Sequence, residues 1–348
     1  MKKGKRRILI IGGAGFIGSN ITDVHLGRGD SVTVLDNLCR TGSRLNLARL
    51  KEKHGRVTLL KADIIKDSKV LDSAARGMEI IYHFAGQVAV TRSVADPRHD
   101  FMTNALGTFN VLEAIRRRNP EALLLYSSTM RVYGKMAGEK ACRSGDRYFF
   151  PAYRRGIPEG RALDFHTPYA CSKGAADQYV LDYSRTYGLR TVVFRQSCIY
   201  GPGQFAIEDH GWVAWFLASA LLDRPMRIFG DGRQVRDILY ISDLVRAYEQ
   251  AVRFSAAAAG RVYNIGGGPG NALSLREMLS LLGNIVGKRL RVTYRGWRPG
   301  DTRFFVSDIS NASQELRWRP AVSIRKGLAL TMDWMRENLP LFRKYSGR

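Results

Sequence analysis

The sequence predicts an α/β fold, a doubly wound parallel sheet with a smaller C-terminal α/β domain. Three observations carry the prediction. Short apolar runs alternate with helical signals through the first half of the chain. The first of these runs stops at a cluster of glycines, and the second stops at a carboxylate.

Taken in order, residues 7–11 (Arg-Ile-Leu-Ile-Ile) form the first strand, which ends at Gly12. A helix over 17–28 follows, then a strand over 31–35 (Ser-Val-Thr-Val-Leu) that ends at Asp36. Residues 57–61 give a third strand just before Asp63, and Ile80 to Phe84 a fourth. Phe101, Leu106, Val111, Leu112 and Ile115 keep the spacing of one helix face. Leu123 to Tyr126 and Thr191 to Phe194 are the fifth and sixth strands. From Gly134 to Phe165 no period survives, and the stretch reads as a long surface excursion of the functional kind. Beyond residue 200 the elements become mixed: Trp212, Trp215, Phe216 and Leu217 suggest a helix, and Ala256 to Gly260 a small surface turn. No internal repeat is evident.

Composition limits the function classes. The chain has 348 residues, 45% of them hydrophobic, enough for a sizeable core. No apolar run approaches the ~20 residues of a membrane span. Lys2, Lys3, Lys5, Arg6 and Arg7 before Ile8 to Ile17 faintly resemble a signal peptide, but Gly12, Gly13 and Gly15 interrupt the stretch and a buried first strand is the better reading. Cys39, Cys142, Cys171 and Cys198 are widely spaced, with no histidine at metal-ligand spacing, so no metal is expected and the chain reads as reduced and cytoplasmic. The formal charge is +24. It fits steering of an anionic substrate or a basic solvated surface. Nucleic-acid binding is the less favoured reading, because the basic residues are spread along the chain rather than gathered into a tract.

Gly12-Gly13-Ala14-Gly15-Phe16-Ile17-Gly18 follows the first strand, opens a helix and fits G-x-x-G-x-x-G. Gly12, Gly15 and Gly18 let the backbone turn tightly and approach a pyrophosphate, and Phe16 and Ile17 begin the helix whose N–H groups face it. This marks the sheet as Rossmann-type. Asp36 is placed to accept hydrogen bonds from the adenosine ribose and to repel a 2′-phosphate, which favours NAD over NADP. The neighbouring Arg40 tempers that preference. Asn37 follows Asp36, Asp63 and Ile64 border the adenine, and Phe84-Ala85-Gly86 ends the fourth strand at the carboxyl edge of the sheet. Gln87, Asn104 and Ser127 complete the expected cofactor set. Residues 1–195 plus about 232–265 are assigned to the NAD-binding domain, and about 196–231 with 266–348 to a substrate-binding domain.

Tyr169-Ala170-Cys171-Ser172-Lys173 is a Y-x-x-x-K element. On a helix, residues i and i+4 share a face, and an ammonium one turn from a phenol favours the phenolate. Such a tyrosine can take a proton from a sugar hydroxyl and return it. The pair alone is common by chance. It gains weight from Ser127-Ser128-Thr129 at the end of the fifth strand, where the Thr129 hydroxyl is placed to hold the reacting oxygen.

The ordered set G-x-x-G-F-I-G, Asp36-Asn37-Leu38, His83-Phe84-Ala85-Gly86, Ser-Ser-Thr before Val132-Tyr133-Gly134, and Y-x-x-x-K resembles the extended short-chain dehydrogenases, the NAD-dependent epimerases and dehydratases of nucleotide sugars. The resemblance spans nearly the whole chain. It implies Thr129, Tyr169 and Lys173 as catalytic residues and Tyr169 and Lys173 as contacts of NAD. It implies a substrate set of Gln87, Thr129, Ser197, Gln204, Arg236, Arg298 and Asp301, with Arg236 (in Val235-Arg236-Asp237) and Arg298 (in Arg298-Pro299-Gly300-Asp301) gripping the diphosphate. Dehydratases of this kind carry an Asp-Glu pair after the threonine, and the related decarboxylases a Glu; here stand Met130 and Arg131. What remains is the minimum set for epimerisation. Residues 85–89, 163–179 and Gln204 to Val213 resemble the branch that inverts C2 of CDP-hexoses, as does the interval of 36 residues from Tyr133 to Tyr169. After the sixth strand many relatives have an Asn; this chain has Gln196-Ser197-Cys198, which leaves open the carbon presented. The alternative reading is a 4-epimerase of a UDP-hexose. A homodimer, paired through helices near 101–118 and 169–187, is also implied. A nucleotide sensor or nucleic-acid binder on the same fold is disfavoured because Thr129, Tyr169 and Lys173 are all kept.

Overall fold

The computed structural model describes residues 5–136, 138–205, 211–297 and 301–345. Contacts divide the chain into two compact units. The first comprises Met1–Thr129, Thr167–Arg195 and Val245–Tyr263; the second comprises Met130–His166, Gln196–Leu244 and Asn264–Arg348.

In chain order the strands are β1 (Arg7–Ile11), β2 (Ser31–Leu35), β3 (Thr58–Leu60), β4 (Ile80–His83), β5 (Leu123–Thr129), β6 (Cys142–Ser144), β7 (Arg147–Phe149), β8 (Arg190–Gln196), β9 (Cys198–Tyr200), β10 (Met226–Phe229), β11 (Val235–Tyr240), β12 (Arg261–Ile265), β13 (Ala272–Ser274), β14 (Val292–Arg295) and β15 (Phe304–Phe305). Seven of them form one sheet in the order β12-β8-β5-β4-β1-β2-β3, with β1 parallel to both β2 and β4. Ile8 to Ile11 are all buried, as a strand covered on both faces requires. The strand order reverses direction between β1 and β4, and the carboxyl ends of strands at such a switch point are where this architecture binds ligands. The six expected strands are all present. β5 runs further than expected, through Thr129, and β12 was not anticipated.

The core of the first unit joins Leu9, Ile11, Ile81 and Leu124 of the sheet to Val111, Leu112 and Ile115 of the helix Gly107–Arg118 and Ala176 and Val180 of the helix Pro168–Tyr187. A π-helical turn, Met102–Leu106, leads into the first of these helices. Ser255–Ala258, expected as part of a turn, is a short helix, in keeping with its alanines.

In the second unit β11 is central, pairing with β9, β13 and β15, while β10 pairs with β14. The stretch read as an excursion of the NAD-binding domain belongs to this unit. Its Met130, Val132, Tyr133, Phe150 and Ile157 share a core with Val235, Phe304, Phe305 and Val306, and Ile157 exchanges backbone hydrogen bonds with Val306 and Asp308. It is not structureless either: β6 and β7 form a hairpin, and Pro151–Tyr153 a 3₁₀ turn. For the same reason residues 232–244, assigned above to the NAD-binding domain, pack with the second unit through the partners of β11. No helix among the described residues is long and apolar enough to cross a membrane.

Candidate active site

The turn after β1 is shaped by its glycines. Gly12 has φ +80, and a Cβ there would lie 2.5 Å from the Ala85 backbone nitrogen; a Cβ on Gly18 would lie 2.1 Å from the Gly12 carbonyl oxygen. Only glycine permits this approach of turn, helix and β4 end. The helix Phe16–Gly27 begins at Gly15 with no side-chain cap and no acidic residue in its first turn, so its N–H groups remain available to an anion. Asp36 is buried at the end of β2 and accepts hydrogen bonds from the backbone N–H groups of Ala14 (3.1 Å) and Leu38 (2.9 Å). Burial raises its pKa, and those N–H groups oppose the rise. The carboxylate is thus fixed beside the glycine turn. The Arg40 guanidinium donates to the Gly86 carbonyl (3.0 Å), and the Asn37 amide donates to Asp63 (3.0 Å). Phe16, Ile17, Phe84, Ala85 and Gly86 are half-buried. Ile64 packs in the core, where a Cβ on Gly107 would strike its Cδ1 at 2.5 Å. Cradle, open helix end and oriented carboxylate fit a bound dinucleotide.

Tyr169 and Lys173 lie in the first turns of the helix Pro168–Tyr187. Pro168 at its start and the Thr167 side chain, which accepts from the Ala170 N–H, fix where the helix begins. Thr167 itself has φ +93, a strained value for a β-branched residue, next to the tyrosine. Lys173 is buried, donates to the Ser127 carbonyl (2.5 Å) and lies 4.3 Å from the Tyr126 ring centre. Burial pushes its pKa down to about 7, against the pull of Asp177 and Asp100. Ser128 and Thr129 are buried at the end of β5.

A polar frame holds these groups. Asp177, one turn beyond Lys173, accepts from Ser128 Oγ (2.6 Å) and from Arg195 Nε (3.0 Å) and Nη2 (2.8 Å). This buried bidentate pair ties β5, the helix and β8 together. A second network centres on Asp100, which accepts from the Gln87 amide (2.8 Å), Ser172 Oγ (2.5 Å) and Asn104 (3.2 Å). Asn104 also accepts from the Gln87 backbone N–H (2.8 Å). It sits in the π-helical turn, a distortion that recurs at functional sites. His83, at the end of β4, hydrogen-bonds Thr108 (3.0 Å), and burial pushes its pKa down to about 3.

In the second unit, Arg236 is buried and donates to the carbonyls of Val235 (2.8 Å) and Thr302 (2.7 Å). Asp301 lies 3.7 Å from Arg131. Ser197 donates to the buried Asp237 carboxylate (2.5 Å), and Gln204 is buried near the Ile199 carbonyl. Arg298 falls outside the described residues.

Residues 8–266 match the profile of the NAD dependent epimerase/dehydratase family. The chain belongs to that family. NAD is accordingly its cofactor. Among relatives in this family, the chain is 41% identical over 334 residues to CDP-paratose 2-epimerase of Salmonella typhi, covering 94% of this chain and 98% of that one. It is 32% identical to UDP-glucose 4-epimerase of Mycolicibacterium smegmatis over 95% and 98% of the two chains. Among solved structures it is similar to a double mutant of a dTDP-glucose 4,6-dehydratase from Streptomyces venezuelae with NAD bound. That match has a TM-score of 0.84 and 31% identity and covers 97% and 99% of the two chains.

Within this epimerase/dehydratase frame the expected residues divide into two groups. Gly12, Gly15, Gly18, Asp36, Ser127, Thr129, Tyr169 and Lys173 cluster around the carboxyl ends of β1, β2, β4 and β5 and the helix beginning at Pro168. The side chains of Gln87, Asn104 and Ser197, expected to touch cofactor or substrate, make their hydrogen bonds within the protein, because buried amides and hydroxyls need partners. They brace the residues beside them. Asp177, Arg195, Asp100 and Ser172 were not anticipated as part of the frame. Asp177 had a signal: 169, 173 and 177 are spaced by four and share one helix face. Its partner Arg195 had none.

Proposed function

We propose that this NAD-dependent sugar-nucleotide epimerase inverts C2 of a CDP-hexose, as a homodimer in a reducing cytoplasm. The observation that carries the reading is the 41% identity, over nearly all of both chains, to an enzyme named for C2 inversion of a CDP-sugar, against about 30% to the 4-epimerases. Met130 and Arg131 agree with it: where dehydration needs a proton donor and acceptor, a thioether and a permanent cation stand.

Tyr169 takes the proton of the reacting hydroxyl and later returns it. Thr129 orients that hydroxyl, and Lys173, held by the Ser127 carbonyl, favours the phenolate. NAD, which the glycine turn at Gly12–Gly18 and Asp36 would hold, would supply the hydride acceptor and donor for this chemistry. Inversion requires the oxidised hexose to present its other face, so affinity belongs on the nucleotide diphosphate, for which Arg236 and Arg298 are the chain's cations, with the hexose held loosely. For the dimer, Phe109, Tyr179 and Tyr187 are exposed on the helices Gly107–Arg118 and Pro168–Tyr187, with Phe101 and Val94 nearby in sequence. Four free cysteines suit the compartment.

Incubation with a panel of CDP-, UDP- and GDP-hexoses tests the reading. A C2-inverted product from a CDP-hexose is expected. Products inverted only at C4, from UDP-hexoses, support the 4-epimerase instead.

A further inference from the structure

In the second unit two arginines converge on consecutive residues. Arg236 donates to the Thr302 carbonyl (2.7 Å), and Arg131 faces the carboxylate of Asp301 (3.7 Å). Arg236 is only 6% exposed, and both its hydrogen bonds go to backbone carbonyls. Among the described residues no carboxylate lies within ion-pair distance of it. A buried guanidinium with no anion in contact is costly, and its hydrogen bonds among the described residues use two of its five N–H donors. Proximity to Arg131 adds like-charge repulsion, which Asp301 offsets only in part. The Arg131–Asp301 separation is that of an ion pair and exceeds the 2.7–2.9 Å of a charge-assisted hydrogen bond. Asp301 and Asp237 both attract the Arg236 guanidinium through space, yet its two hydrogen bonds go to neutral backbone carbonyls.

We infer that Arg131 is the second cation of the site that holds the diphosphate of the sugar nucleotide, working beside Arg236. The inference rests on the substrate being a nucleotide sugar and is independent of its base and of the carbon inverted. It gives Arg131 a function of its own. The residue that stands in place of a dehydratase's acid adds grip on the part of the substrate that must stay fixed while the hexose turns. Arg131 is thereby a binding and specificity residue, and no proton transfer is assigned to it.

The test is titration of NAD-loaded enzyme with inorganic pyrophosphate, comparing Arg131→Gln, Arg131→Lys and Arg336→Gln. The last removes an equal charge from an exposed pair with Asp333 in the same unit, and so reports how far the general positive charge of the molecule matters. Loss of a charge-assisted contact predicts affinity down roughly ten-fold or more in Arg131→Gln. Arg131→Lys should be intermediate, because it keeps the charge and loses the fork, and Arg336→Gln should stay within about two-fold of the unaltered enzyme. A melting temperature for each variant confirms that it is folded. Equal pyrophosphate affinity in folded Arg131→Gln and Arg336→Gln overturns the inference. That result leaves the epimerase reading standing, since the sugar panel decides it separately.

Discussion

Lys173 shows at the level of one residue how burial sets up chemistry. Its amine is out of water, donates to the Ser127 carbonyl and has its pKa pushed down to about 7, so its proton is poised near neutrality beside Tyr169 in the helix. Replacing Tyr169 by Phe keeps the ring and removes the proton carrier. Turnover should fall by at least ~100-fold, measured as product formed at saturating sugar nucleotide. Near-normal turnover would take Tyr169 out of the mechanism. His83 gives a stability test. Its folded pKa of about 3 lies below the 6.5 of an exposed histidine. From pH 6.5 down to about 3 the unfolded chain therefore binds a proton that the folded chain refuses, and stability falls as pH falls through that window. His83→Phe keeps a ring against Tyr126 and should lose less stability than the unaltered protein between pH 6.5 and 4, read as melting temperature against pH. Parallel curves would place the acid sensitivity elsewhere.

At the level of elements, the glycine turn and the helix Pro168–Tyr187 were legible because their signals are local. A glycine that must approach another backbone, or a tyrosine and lysine one turn apart, can be read from neighbours in the chain. Gly18→Ala would force a methyl against the Gly12 carbonyl, and the purified protein should then carry little or no NAD, assayed as nucleotide released on denaturation. Normal NAD content would show that the cradle tolerates a side chain there. The supporting pairs were not legible, because tertiary packing alone brings them together. Asp177 and Arg195 lie 18 residues apart on a helix and a strand, and Asp100 meets Ser172 across 72. Arg195→Leu leaves the Asp177 charge buried and should cost ~3–5 kcal/mol in a denaturant titration, whereas Arg195→Leu with Asp177→Leu should recover part of that loss. Equal losses in the single and double variants would mean that the pair acts by packing and not by charge.

For the whole molecule, the parallel doubly wound sheet followed from alternation and the first βαβ unit, but the division into units did not. Met130, Tyr133 and Phe150 precede the helix Pro168–Tyr187 in the chain, yet their apolar partners, Val235, Phe304 and Phe305, arrive more than 80 residues later. No local period announces such a pairing. On the helices Gly107–Arg118 and Pro168–Tyr187 the exposed Phe109 and Tyr179 are in edge contact, and the exposed Tyr187 packs on the buried Tyr183. Tyr179→Asp should convert a dimer to a monomer in light scattering; an unchanged mass would remove this face from the assembly. The central claim concerns one carbon, and the most direct measurement of it is the deuterium isotope effect on turnover of CDP-hexose labelled at C2 or at C4. Slowed turnover with the C2 label and unchanged turnover with the C4 label is the predicted result. Slowing confined to the C4 label would contradict the account.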